Sequence, residues 1–116
     1  MLKRILKAVN DFAKGKPLKL RSPKWDSLRD NFLKQNSFCA ACGSEEFLQV
    51  HHIKPFHLFP EEELNEKNLI TLCEGKKNKC HFNIGHLGNW KTNNPEVVHD
   101  SEKFYQVIIS KKNENN

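Results

Sequence analysis

The chain has 116 residues and a mass of 13.5 kDa, the length of one domain. It is 28% charged and 37% hydrophobic, with a mean hydropathy of −0.73 and no apolar run near the ~20 residues that span a bilayer, which excludes a transmembrane helix. The net charge of +5 and pI near 9.1 favour an anionic partner, such as nucleic acid or an anionic membrane surface.

The start, Met1 to Lys7, mixes charge into every turn and lacks the apolar stretch of a secretory signal, so a cytoplasmic location is expected. Residues 2–14 repeat apolar groups at Leu2, Ile5, Leu6, Val9, Phe12 and Ala13. That spacing predicts a helix ended by Gly15 and Pro17, with Lys3, Lys7 and Lys14 on its far face. A second helix is expected after Ser22 as N-cap, with Pro23 in first position and Trp25, Leu28, Phe32 and Leu33 on one face. Arg21, Lys24, Arg29 and Lys34 surround it with positive charge.

Phe38 to Ser44 reads as a turn holding Cys39 and Cys42, where Gly43 can take a positive φ and let both thiols face one ion. Phe47 to Ile53 has strand composition, stopped by Pro55. The acids Glu61, Glu62 and Glu63 read as a solvated loop, because their spacing singles out no ligand. Asn68 to Cys73 predicts a second strand, followed by a loop with Lys76, Lys77 and Lys79. A helix is expected from Cys80, interrupted near Gly85. A last helix is expected over 101–111, with Phe104, Tyr105, Ile108 and Ile109 as its apolar positions, and 111–116 as a frayed tail.

The four cysteines form two pairs, Cys39/Cys42 and Cys73/Cys80. Two disulfides are one use of an even count; the C-x-x-C spacing and the lack of an export signal favour zinc. Four thiolates give zinc a closed structural shell. It would tie the turn before the first strand to the end of the second. His51 and His52 would then lie near His81 and His86, with Asn68 across the hairpin. A neutral imidazole can accept a proton from water or ligate a divalent ion. His81 and His86 lie ~140° apart on a regular α-helix, so a shared ion needs a distortion there. His51 and His52 would point to opposite faces of a regular strand, so a shared role needs the strand to end or bulge. His57 and His99 fall outside the cluster and read as loop residues.

Cys39-x-x-Cys42, Val50-His51-His52-Ile53-x-Pro55, Asn68 to Cys73 and Cys80-His81 follow in an order and spacing that resembles the HNH endonuclease family. The resemblance covers about residues 37–90. It implies a small α+β fold: a ββα-metal core with a four-cysteine structural zinc site, flanked by N- and C-terminal helices. The implied boundaries are helices over 1–36, the zinc-stapled core over 37–90, a helical segment over 91–110 and the tail over 111–116, all within one nuclease domain. Carried over residue by residue, His52 would be the general base and Asn68 would hold the loop and orient the His52 ring. His51 and His81 would ligate a catalytic divalent ion (Mg²⁺, Mn²⁺, Ni²⁺ or Zn²⁺), with His86 as the alternative or additional ligand. The implied function is metal-dependent hydrolysis of DNA phosphodiesters, in a bacterial or phage-infected cell. Phosphate contacts are expected from Lys76, Lys77, Lys79, Arg21 and Lys24. A homodimer or a larger phage or restriction assembly stays open, as do a non-catalytic zinc-containing nucleic-acid-binding module and a zinc-stabilised protein adaptor.

Overall fold

The computed structural model describes residues 20–75 and 77–114, with side chains through 113. The expected helix over 2–14 and Lys76 lie outside the described residues. Helix α1 runs Trp25–Gln35. Trp25 and Phe32 are buried on one face and meet Leu69 and Val50 of the sheet, as their i, i+7 spacing requires. The helix is assigned from two residues beyond the expected Pro23, yet Ser22 still acts at its start. Its Oγ accepts the Lys24 N–H at 3.1 Å and its carbonyl the Trp25 N–H at 3.0 Å. At the other end the Asn36 carbonyl accepts the Thr71 hydroxyl at 2.9 Å, tying α1 to the second strand.

Strands β1 (Leu48–His52) and β2 (Leu69–Cys73) pair antiparallel, from Leu48↔Cys73 to His52↔Leu69. Every residue of β2 is buried, because both faces are covered. Leu69 joins the α1 core, whereas Ile70, Leu72 and Cys73 join a second core with Cys39, Ala41, Cys80 and Val97. The long connection between the strands is stapled by Asn68. Its Oδ1 accepts the Lys54 N–H at 2.7 Å, and its Nδ2 donates to the Lys54 and Glu62 carbonyls at 3.1 and 3.2 Å.

After Cys80 the chain does not form the expected α-helix. His81–Gly85 is a π-turn, closed by the His86 N–H on the His81 carbonyl at 3.1 Å. Asn94 serves the end of this turn, donating to the Ile84 carbonyl (3.0 Å) and, through its backbone N–H, to the Gly85 carbonyl (3.0 Å). The last helix, α2 (Val97–Glu114), starts four residues earlier than expected and continues through Lys111–Asn113, which the sequence suggested as a frayed tail. Val97 and Ser101 are buried in its first turns, and Phe104 packs on the cysteine core. His99 is an exposed residue of α2, not a loop residue. Among the described residues no helix is long and apolar enough to cross a membrane.

Candidate functional site

The Cys39–Cys42 turn is shaped by backbone hydrogen bonds: Gly43 N–H to the Cys39 carbonyl (2.9 Å), Cys39 N–H to the Ser44 carbonyl (2.8 Å) and Ala40 N–H to the Thr71 carbonyl (2.9 Å). Gly43 takes the expected positive φ of 78°. The last bond anchors the turn to β2, so Cys39 and Cys42 meet Cys73 at the strand end and Cys80 at the π-turn. All four are free thiols, and their Sγ atoms lie within 4.8 Å of one another. Four Zn–S bonds of ~2.3 Å place sulfurs ~3.8 Å apart in a tetrahedron, so the set fits a zinc ion. A hydrogen bond from Cys80 pulls the Cys39 thiol down to about 4, and the same bond, with burial, pushes Cys80 far above its ordinary value. Burial also raises Cys42. Four thiols this close, three of them buried, cannot ionise together without a cation, and a cation resolves the conflict.

His51, His81 and His86 form a second cluster, with candidate ligand nitrogens within 4.8 Å of one another. His81 Nε2 lies 3.1 Å from His51 Nδ1 and 3.2 Å from His86 Nε2. Imidazole nitrogens at ~2.0–2.1 Å from one ion stand about 3 Å apart, which these spacings match. The distortion foreseen near Gly85 is the π-turn: its i→i+5 bond stacks His86 over His81, removing the divergence of a regular α-helix. Gly85 also makes room for His51. A Cβ there would sit 3.3 Å from both His51 Cε1 and Nδ1, and 3.2 Å from Leu72 Cδ1.

The outer nitrogens are held in place. His81 Nδ1 lies 2.5 Å from Glu74 Oε1, and His86 Nδ1 donates to the Thr92 carbonyl at 2.8 Å. Both bonds put the proton on Nδ1 and turn the Nε2 lone pair inward, the arrangement that supports metal ligation. His51 Nε2 is buried with no hydrogen-bond partner among the described residues. With Nδ1 as the ligand atom, the ring proton sits on this Nε2, at a desolvation cost of ~1–3 kcal/mol that a metal bond at Nδ1 would have to offset. Burial, then the charges of His81 and His86, hold His51 down to about 3, and burial outweighs Glu74 in lowering His81. Neutral imidazoles are the form that binds metal. The partly exposed indole of Trp90 packs on His81 and His86, at 5.4 and 4.9 Å between ring centroids.

His52 points the other way, as adjacent residues of a regular strand must. It pairs with Leu69 without a bulge and packs on Trp25, with ring centroids 4.5 Å apart. Its Nε2 donates to the Glu63 carbonyl at 3.0 Å, leaving Nδ1 without a hydrogen-bond partner among the described residues. Burial lowers its pKa below the ordinary histidine value. Asn68 does not orient this ring directly. All its side-chain hydrogen bonds go to the backbone of Lys54 and Glu62, so it fixes the loop whose next residue, Glu63, holds His52.

Glu63 also corrects the expectation of a solvated acidic loop. It is 5% exposed, and both its carboxylate oxygens accept the Ser22 N–H, at 3.1 and 3.2 Å. Arg21 lies 3.6 Å from Glu63 and stacks over Trp25 and Phe56, so its charge is already engaged within the fold. Lys24, Lys77 and Lys79 are all exposed. Sequence reasoning missed Glu74, Glu63 and Trp90. Glu74 had a signal in its place directly after Cys73. The Glu63 and Thr92 carbonyls had none, because every residue carries that acceptor.

Neither the search of curated proteins nor that of solved structures gave a match to this chain. The family model for HNH endonuclease matches residues 39–87, a span that runs from the first cysteine through the π-turn and contains both clusters. Over that span, which holds the two-stranded antiparallel sheet, the four-cysteine cluster and the three-histidine cluster, the chain is similar to the HNH endonuclease family.

Proposed function

We propose that the protein is a metal-dependent endonuclease that hydrolyses DNA phosphodiester bonds. The observation that supports this best is the convergence of three imidazole nitrogens, two of them oriented from behind, with a fourth histidine next in the chain, at the end of β1, whose Nε2 is held by a carbonyl. Cys39, Cys42, Cys73 and Cys80 hold a structural zinc, and His51, His81 and His86 hold one divalent ion. Such an ion supplies Lewis-acid polarisation of the phosphoryl group and neutralises charge on the leaving 3′ oxygen.

His52 acts as general base. The Glu63 carbonyl keeps the proton on Nε2, so the Nδ1 lone pair is left to take a proton from water. The water oxygen attacks phosphorus as the bond to the 3′ oxygen breaks. Burial keeps the ring neutral at pH 7 and ready to accept that proton. Asn68 positions the loop behind it. Lys24 and the lysine loop at Lys76, Lys77 and Lys79 contact phosphates and set affinity rather than sequence preference.

Incubating the purified protein with supercoiled plasmid and Mg²⁺, Mn²⁺, Ni²⁺ or Zn²⁺ in turn tests this. Conversion to open-circular or linear DNA that depends on the added ion is expected. Salt-sensitive binding with no cutting under any of the four ions would make this a non-catalytic zinc-containing module. No DNA affinity at all would point to a protein adaptor.

A further inference from the structure

The segment that touches His52 from outside the family match is short and specific. Arg21, Ser22 and Trp25 precede residue 39, yet they reach across the fold to the loop behind the base. Trp25 packs on the His52 ring, the Ser22 N–H sits over both oxygens of Glu63, and Arg21 lies beside the same carboxylate between Trp25 and Phe56. Glu63 is thus gripped by its side chain while its own carbonyl receives the His52 Nε2–H. A buried carboxylate is tolerated only where partners compensate it, so the Glu63 side chain stays in this cradle and its carbonyl stays aimed.

We propose that the Arg21–Trp25 segment completes the general-base site, with Arg21 and Glu63 as positioning residues that hold the carbonyl orienting His52. This rests on the assignment of His52 as the base. It gives Arg21 a different role from a phosphate contact. A phosphate contact contributes to affinity and to its salt dependence, whereas a positioning residue contributes to turnover. Misplacing a reacting group by about 1 Å can cost ~10²-fold. The loss here cannot exceed that of removing the base itself, ~10²–10⁴-fold.

The test uses the full zinc-loaded chain with Arg21→Met, Glu63→Gln and the double variant. Glu63→Gln keeps an acceptor for the Ser22 N–H, and the double variant removes both charges together, so no buried charge is left unpaired if a single variant folds poorly. Cleavage of a fluorescent DNA duplex at saturating Mn²⁺ gives kcat and KM. DNA affinity across a salt series gives the electrostatic slope. Proton NMR follows the His52 imidazole N–H, which the Glu63 carbonyl protects from exchange.

We expect kcat to fall on the order of 10–100-fold in each single variant and no further in the double. KM, zinc content and salt slope should stay at wild-type values, and the His52 N–H signal should broaden or vanish. A double variant with kcat within about twofold of wild type and an intact His52 signal overturns the proposal. So does an Arg21→Met variant whose salt slope falls by ~0.9 while Glu63→Gln has none of that effect, for Arg21 is then a phosphate contact. His52→Ala serves as the separate control. If it cleaves at the wild-type rate, the base assignment fails, and the NMR signal alone decides whether the clamp exists.

Discussion

Replacing Gly85 with alanine would press directly on the His51 ring. Backbone conformation does not forbid the change, since the φ of Gly85 lies outside the left-handed region. The added Cβ would sit 3.2 Å from Leu72 Cδ1 and 3.3 Å from His51 Cε1 and Nδ1, closer than ordinary van der Waals contact. Leu72 is 0% exposed and His51 3%, so neither has open space into which to retreat. Overpacking of this kind costs ~1–3 kcal/mol, against ~1 kcal/mol gained by removing a glycine from a helical turn. The net is a destabilisation of about 0–2 kcal/mol, and each kcal/mol lowers Tm by roughly 4–8 °C in a domain this small. The second effect is on ligation, because the crowded atom is the His51 nitrogen that faces His81. If ~1.4 kcal/mol of that strain is relieved by the ring swinging aside, affinity at the histidine cluster falls tenfold. Thermal melts of the zinc-loaded protein and calorimetric titration with Ni²⁺ measure the two effects separately. A Gly85→Ala protein that melts at or above wild type and binds Ni²⁺ equally well would refute the placement of His51 against the π-turn.

Cys39→Ser or Cys73→Ser should give a zinc-free, poorly folded chain, since a structural zinc site can contribute ~10 kcal/mol to folding; metal analysis together with circular dichroism checks this. Glu74→Ala should weaken divalent-ion binding at the histidine cluster ~10–100-fold and leave the cysteine-bound zinc in place, and an unchanged Ni²⁺ affinity would remove Glu74 from the site. His51 is held down to about 3 in the folded chain, so between its ordinary value near 6.5 and that point the unfolded chain takes up a proton that the folded chain refuses. Stability of the protein without added divalent ion should therefore fall as pH drops from 7 to 5, by at most ~1.4 kcal/mol per pH unit from this group; urea melts of His51→Ala should show a smaller drop, and an equal drop in both proteins would exclude His51 as its source. Replacing Lys76, Lys77 and Lys79 together should reduce the slope of log K against log salt by ~0.9 for each phosphate no longer neutralised, and an unchanged slope would move the DNA footprint elsewhere.

Much of this arrangement was legible in the sequence. The strands were readable to within a residue at each end because β-branched and aromatic runs bounded by Pro55 and the Cys39–Gly43 turn leave few alternatives. Cysteine spacing pointed to one closed cluster, and the structure brings all four thiols together. The π-turn was foreseen only as a need for distortion, since α-helical and π-helical turns share side-chain composition and differ by one residue in hydrogen-bond span. The opposite facing of His51 and His52 follows from the strand period, but what each would meet depended on contacts across the fold. Glu63 was misjudged because a run of three glutamates in a loop is normally solvated. Its burial comes from Ser22 and Arg21, 41 and 42 residues earlier, and no local pattern encodes that. The orienting carbonyls of Glu63 and Thr92 lie beyond sequence reading altogether, because backbone acceptors carry no side-chain signature.

The assignment of His52 as general base, with His51, His81 and His86 on the metal, is tested most directly by single-turnover cleavage of plasmid DNA by wild type, His52→Ala and His81→Ala across a divalent-ion titration. His52→Ala should cut ~10²–10⁴-fold more slowly than wild type at every ion concentration, with its zinc content, melting and DNA affinity intact. His81→Ala should recover part of its rate as the ion concentration rises. Cleavage by His52→Ala at the wild-type rate, or its rescue by added ion, would contradict the assignment, for His52 would then be either a bystander or a ligand.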